Sequence, residues 1–219
     1  MTVENQKDID GILNAGRVVA AVRDAMLGAV EPGMTTAELD AFGAKLLDRA
    51  GARSAPRVMY DFPGATCISV NEEIAHGIPG DRPLREGDIV NIDLTLVVDG
   101  WHGDSSRMYP VGEISRKAER LIRVTYESLA RGIDAAIPGN TTGDIGAAIQ
   151  RYAEAERTSV VRDFVGHGLG QLFHDEPNIL HFGTPGMGPK LKPGMIFTIE
   201  PMINLGRPQV KILNDGWTA

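Results

Sequence analysis

The stretch Ile89-Val90-Asn91-Ile92-Asp93-Leu94-Thr95-Leu96-Val97-Val98-Asp99-Gly100-Trp101-His102-Gly103-Asp104-Ser105-Ser106-Arg107-Met108-Tyr109 reads as a β-hairpin. Asp-Gly is a strong two-residue hairpin signal, because both residues tolerate the positive φ such a loop needs. With Asp99-Gly100 as the loop, Val98 faces Trp101 and the numbers of every opposed pair sum to 199. Thr95 then faces Asp104, and Asp93 faces Ser106. Opposed residues share a sheet face, as do residues two apart on one strand. Val90, Ile92, Leu94, Leu96 and Val98 form one wholly apolar face, the core side. Asp93 and Asp104 lie diagonally on the other face, about 7–8 Å apart at the backbone. Two carboxylates so placed admit two readings: ligands of a shared cation, or solvated side chains on an open face. His102 shares their face, but its place near the loop end favours exposure over a third ligand.

Upstream, Ile9, Ile12, Leu13, Val19, Val22, Met26 and Val30 recur at helical spacing, which predicts a helix over about 6–30. Glu31-Pro32-Gly33 ends it, Thr36 is the expected N-cap of a second helix, and Gly51 is its expected stop. Downstream, Ser115 opens a helix to about Ile137, Pro138-Gly139 breaks it, and Thr142 is the expected cap of the next. Met195 to Ile199 reads as an apolar strand ending at Glu200.

The second half repeats the first. Pro32-Gly33-Met34-Thr35-Thr36 matches Pro138-Gly139-Asn140-Thr141-Thr142, and Leu84 to Asp93 aligns with Leu191 to Glu200, at offsets of 106 and 107 residues. Two matches at nearly one offset point to an internal duplication about a pseudo-two-fold axis. Asp93 and Glu200 are then repeat mates in matching strands. His167, among the glycines of Gly166-His167-Gly168-Leu169-Gly170, and His174 are each ordinary alone. The combination of Asp93, Asp104, His167 and Glu200, two from each half, is not. Oxygen-rich sites with one imidazole suit Mn(II), Fe(II) or Co(II), and two ions about 3.5–4 Å apart are the usual arrangement for bridging carboxylates.

Bulk properties narrow the class. The 219 residues, 42% hydrophobic, suffice for one sizeable core or two small ones. A net charge of −7 argues against DNA or other nucleic acid as the main partner. No apolar run approaches the ~20 residues of a membrane span, and the polar N-terminus does not read as a secretory signal. The single cysteine, Cys67, excludes an internal disulfide and fits a reducing cytoplasm.

These residues resemble the bacterial type I methionine aminopeptidases over essentially the whole chain. The matching runs are Cys67-Ile68-Ser69-Val70-Asn71-Glu72, His76-Gly77-Ile78-Pro79, Gly87 to Asp93, His102-Gly103-Asp104, Gly166-His167-Gly168, Phe173-His174, Glu176-Pro177 and Thr198-Ile199-Glu200-Pro201. Each run is weak alone; all of them, in order and near the family spacing, are specific. The resemblance implies an α+β pita-bread fold, with an antiparallel sheet covered by helices. It implies removal of the N-terminal methionine from nascent proteins by water activated at two divalent ions, cobalt, manganese, iron or zinc. Asp93 would hold one ion and Asp104 would bridge both. His167 and Glu200 would hold the other, and Glu200 would also take a proton from the attacking water. His76 and His174 would hydrogen-bond the scissile peptide and its developing oxyanion. Met59, Phe62, Cys67, Phe173 and Trp217 would line an apolar, soft pocket suited to an unbranched thioether. Where the family commonly has tyrosines, this chain has Met59 and Phe62. The implied partners are the N-terminal peptides of nascent proteins at the ribosome, met by a cytoplasmic monomer.

The family continues past Asp215-Gly216-Trp217-Thr218 into strands carrying a further bridging glutamate. The repeat asks for the same, since Asp104 has no mate before Ala219. The expectation is therefore one catalytic domain over 1–219, with halves at about 6–110 and 115–219, C-terminally incomplete and lacking the last strands. A catalytically impaired, peptide-binding relative of the same fold is one rival. A proline-specific aminopeptidase is another, although those usually carry an additional N-terminal domain for which this chain leaves no room.

Overall fold

The computed structural model describes residues 2–219, in two compact units: Gln6–Arg116 with Lys211–Ala219, and residues 2–5 with Lys117–Val210. The first unit contains α1 (Gln6–Ala29), α2 (Thr36–Arg49), β1 (Arg53–Ser54), α3 (Ala55–Tyr60), β2 (Cys67–Val70), β3 (Ile89–Val98) and β4 (Trp101–Pro110). Asp99 and Gly100 take φ of 52° and 80° and close the β3–β4 hairpin. Its register runs from Val98↔Trp101 to Ile89↔Pro110, with Thr95↔Asp104 and Asp93↔Ser106 as expected from the turn. β3 is central: β4 takes one edge, and β2 and β1 share the other, at residues 90–93 and 96–97.

The apolar face of β3 is core, with Val90, Ile92, Leu94 and Leu96 fully buried. Burying each such side chain contributes about 1.5–3 kcal/mol. Helix α1 covers this face of the hairpin through glycines. A Cβ on Gly103 would come within 2.6 Å of the Ala15 carbonyl oxygen, and one on Gly11 would strike the Trp101 indole at 2.3 Å. Helix and strand can approach this closely only because both positions lack a side chain.

The expected caps are each displaced by one residue. Thr35, not Thr36, caps α2: its Oγ1 accepts the Glu38 N–H at 3.2 Å, and its own N–H donates to Glu38 Oε2 at 2.8 Å. This reciprocal pair needs a carboxylate three residues on, which Thr35 has and Thr36 lacks. Thr36 instead exchanges hydrogen bonds with the backbone of Gly80.

The second unit contains α4 (Arg116–Ala135, whose first residue belongs to the first unit), α5 (Thr142–Ala155), β5 (Ser159–Val160), β6 (Gly166–Gly168), β7 (Asp175–Ile179) and β8 (Ile203–Asn204). β5 pairs β8 and β6 pairs β7, both antiparallel. Its core joins Val124, Ile145, Ile149, Ala153, Val160, Ile179, Leu191 and Ile203. Thr141, not Thr142, is the α5 cap, with its N–H and Oγ1–H donating to the Asp144 carboxylate. Both units repeat one hydrogen-bond pattern: Gly33 N–H donates to Leu84 O as Gly139 does to Leu191, and Leu84 N–H to Met34 O as Leu191 does to Asn140.

The strand expected over Met195–Ile199 is not continuous. Met195 and Phe197 form isolated bridges, to Thr2 and Gly168. The neighbouring β6 has a register irregularity between Gly166 and Gly168, which interrupts the ladder, and Pro201 has no N–H with which to extend it. Among the described residues no helix is long and apolar enough to cross a membrane.

Candidate metal centre

In the first unit, Asp93 and Asp104 sit on adjacent strands of one rigid hairpin, on the face opposite the core, and both are partly buried. That face is occluded rather than open: Thr95 is 4% exposed, Cys67 6% and His102 4%. The expectation of an exposed His102 is therefore corrected. The loop residues Asp99 and Gly100 are exposed, but His102 beside them is buried with Thr95 and Cys67, so cover over the whole face and not nearness to the loop decides its exposure. Cys67 is the direct cross-strand partner of Asp93. Burial pushes its thiol well above the usual range, and the charges of Asp93, Asp104 and Asp40 add to the rise. Both causes favour the neutral thiol over the thiolate.

His76 takes the left-handed conformation, φ 56°, between two anchored neighbours. Gly77 O accepts from Ile68 N–H at 2.9 Å, and Ala219 N–H donates to Ala75 O at 3.0 Å. Burial lowers the His76 pKa, favouring the neutral ring. Of the expected pocket residues in this unit, Phe62 is buried and meets Trp217 edge to face, with centroids 5.2 Å apart. Met59, on α3, is half exposed. The loop before Cys67 is held by a buried residue that the sequence reading passed over. Asp40 accepts the N–H groups of Ala65 and Thr66 and the Thr66 hydroxyl, at 3.1, 2.7 and 2.8 Å.

In the second unit, β6 presents His167, which is buried. Its Nδ1 lies 3.0 Å from the Gly168 carbonyl oxygen, an acceptor only, so Nδ1 carries the proton. Nε2 then offers its lone pair, 3.6 Å from Glu200 Oε1. That separation exceeds a hydrogen bond but suits two ligands of one ion, each bonded at about 2.0–2.2 Å. An imidazole oriented through its other nitrogen is the usual arrangement of a metal-binding histidine. The donor set therefore fits a divalent cation.

Glu200 is held at both ends. Thr198 Oγ1–H donates to its Oε1 at 2.5 Å, and its backbone N–H donates to His181 Nε2 at 3.1 Å. Burial lowers the His181 pKa to about 4, which keeps Nε2 available as an acceptor. The sequence reading named neither contact. Thr198 was legible, since residues two apart on extended chain share a side; His181 carried no spacing signal. His174 lies exposed just before β7, stacked on buried Phe173 (4.1 Å, 20°) and tilted on His167 (4.1 Å). A groove of about 350 Å³ is lined by Val165, His167, His174, Asp175, Glu176 and Asn178. A larger one, about 480 Å³ between α4 and α5, holds none of the expected site residues.

Comparison with known proteins identifies the family. Residues 10–218 match metallopeptidase family M24. The chain is 50% identical to methionine aminopeptidase A of Synechocystis, over its full length and 87% of that protein. It superimposes on the crystal structure of methionine aminopeptidase from Rickettsia prowazekii with a TM-score of 0.96 and 46% identity, covering all of this chain and 89% of that one. A prolidase from Pyrococcus furiosus, at TM-score 0.78 and 23% identity over 91% of this chain and 57% of its own, shares the fold alone. The fold is the pita-bread fold of these metallopeptidases. By its sequence, its fold and its metal-type ligands, the chain belongs to metallopeptidase family M24, among the methionine aminopeptidases.

Proposed function

We propose that this chain removes the N-terminal methionine from peptides and nascent proteins, with Asp93, Asp104, His167 and Glu200 holding two divalent ions. The observation that carries the ligand set is the His167–Glu200 pair: a buried imidazole with its proton directed away, 3.6 Å from a carboxylate oxygen. Asp104 is the third donor we assign to that pair, and Asp93, diagonal to Asp104 on the hairpin, the fourth. When bound, such ions activate water and polarise the scissile carbonyl. Glu200 accepts the proton that the attacking water gives up. His174, stacked on Phe173, donates a hydrogen bond to the oxyanion as it develops, and neutral His76 hydrogen-bonds the peptide. Phe62, Cys67, Phe173 and Trp217 enclose the methionine side chain, with Met59 at the rim. The oxygen-rich set favours manganese, iron or cobalt over zinc. We assign the activity to a cytoplasmic monomer acting on chains emerging from the ribosome, and we read the two matching hydrogen-bond patterns as an internal duplication.

The experiment is metal reconstitution. The chelator-stripped protein is titrated with Mn(II) or Co(II), and release of methionine from Met-Ala-Ser is compared with cleavage of an Xaa-Pro dipeptide. Two bound ions and methionine release are expected, both lost in Asp93→Asn and His167→Ala. Metal uptake and peptide binding without methionine release would instead identify a non-hydrolytic binding protein.

A further inference from the structure

We infer that His181 is a positioning residue for Glu200: it fixes the backbone from which that carboxylate reaches its ion and its proton. The inference rests on the reading of Glu200 given above. Glu200 precedes Pro201, so its N–H is the last backbone donor before a residue that has none. Thr198 N–H still finds a backbone partner, His167 O at 2.8 Å. Two residues on, the antiparallel partner would be residue 165, which lies before β6 begins at Gly166. The ladder has ended, and an N–H that gave up water there without an acceptor would destabilise the fold. His181 Nε2 takes its place at 3.1 Å.

The acceptor is rigidly mounted. His181 is 1% exposed and stands two residues beyond fully buried Ile179, the end of β7. Helix α5 presses on both sides of it, because a Cβ on Gly146 would lie 2.4 Å from Phe182 O and 2.7 Å from Leu180 O. The Glu200 backbone is therefore anchored to β7 and α5 by one imidazole, while Thr198 orients the carboxylate. Neither hydrogen bond alone fixes both position and direction.

The test compares His181→Gln, which keeps an acceptor, with His181→Leu, which does not. Partners that orient metal ligands typically contribute 10–100-fold in affinity. His181→Leu is expected to weaken Mn(II) binding, read by calorimetry, at least about tenfold, and to lower kcat for Met-Ala-Ser with KM little changed. His181→Gln is expected to recover most of both. Wild-type affinity and kcat in a folded His181→Leu protein would overturn the inference, as would equal losses in the two variants. Should His181→Leu fail to fold, the wild-type protein still decides. With uniformly ¹⁵N-labelled protein, a through-hydrogen-bond coupling from Glu200 N to His181 Nε2 is expected, and its absence with a protonated Nε2 overturns the contact. Wild-type protein that neither binds Mn(II) nor releases methionine would instead defeat the reading of Glu200, leaving the coupling to report on His181 separately.

Discussion

The Thr198 hydroxyl donates to Glu200 Oε1 at 2.5 Å and accepts the backbone N–H of His167 at 2.9 Å, so one side chain couples the two ligands we assign in the second unit. Thr198→Val keeps the shape and β-branching but removes the donor. A hydrogen bond to a charged acceptor is worth about 1.5–3 kcal/mol, and the freed carboxylate gains rotational freedom in exchange. The expected result is roughly tenfold weaker Mn(II) binding and a comparable loss of kcat, with KM little changed. Calorimetry and initial-rate kinetics check it; wild-type affinity in the variant would show that Thr198 serves only the backbone.

Cys67 is the chain's single cysteine, so its titration is directly observable. Burial raises its pKa first, and the charges of Asp93 and Asp104 next. Neutralising one of them in Asp93→Asn should lower the thiol pKa while leaving it above its ordinary value of 9.0, because burial remains the larger cause. The sign for stability follows. The unfolded chain ionises near pH 9.0 while the folded chain stays protonated, so stability is full below that pH and declines as pH rises toward the folded pKa. Thiolate absorbance near 240 nm, followed against pH in the wild type and in Asp93→Asn, checks the shift.

Much of the first unit is legible in the sequence because its signals are local. Asp99-Gly100 sets the loop, the period of two sets the faces, and together they place Asp93 and Asp104 in the observed register. The caps are misplaced by one residue because Thr35-Thr36 and Thr141-Thr142 offer two candidates each, and only Glu38 and Asp144 decide between them. Met195–Ile199 is misread for a non-local reason: an apolar run does not reveal an irregularity in the strand beside it. His102 is misread likewise, since its burial depends on cover over the Asp93–Asp104 face, which the hairpin sequence alone does not reveal. His181 in Leu180-His181-Phe182 looks like an ordinary core histidine until the end of β6 shows which amide needs an acceptor.

The α5 cap should be visible in the acid limb of stability. The Thr141 N–H and then its hydroxyl hold the Asp144 carboxyl below its ordinary 3.8, and the Gly186 N–H adds to the effect. Its folded pKa is depressed, so its contribution is present above pH 3.8 and is lost as pH falls through the lower folded value. Asp144→Asn should flatten stability against pH in that window and leave the neutral-to-alkaline limb unchanged. Urea midpoints measured from pH 2 to 7 check it; an unaltered acid slope would mean that other carboxylates dominate.

Gly146→Ala tests the mount of His181 from the far side. Alanine in a helix is favoured over glycine by about 0.8–1.0 kcal/mol, so a free site would gain stability. At Gly146 the new Cβ would meet two backbone carbonyl oxygens, at 2.4 and 2.7 Å, which cannot rotate away as a flexible side chain can. Overpacking typically costs 1–3 kcal/mol, and the clash should outweigh the propensity gain. Either α5 or the segment 180–182 must move, and moving the segment carries His181 away from the Glu200 amide. The expected outcome is a lower Tm together with weaker Mn(II) binding. Gly16→Ala in α1, where a Cβ meets nothing within 4 Å, is the control and should raise Tm without altering metal affinity. Thermal melts and Mn(II) calorimetry on both variants decide the matter. A Gly146→Ala protein that loses stability but keeps full Mn(II) affinity would show that α5 supports the fold without transmitting position to Glu200.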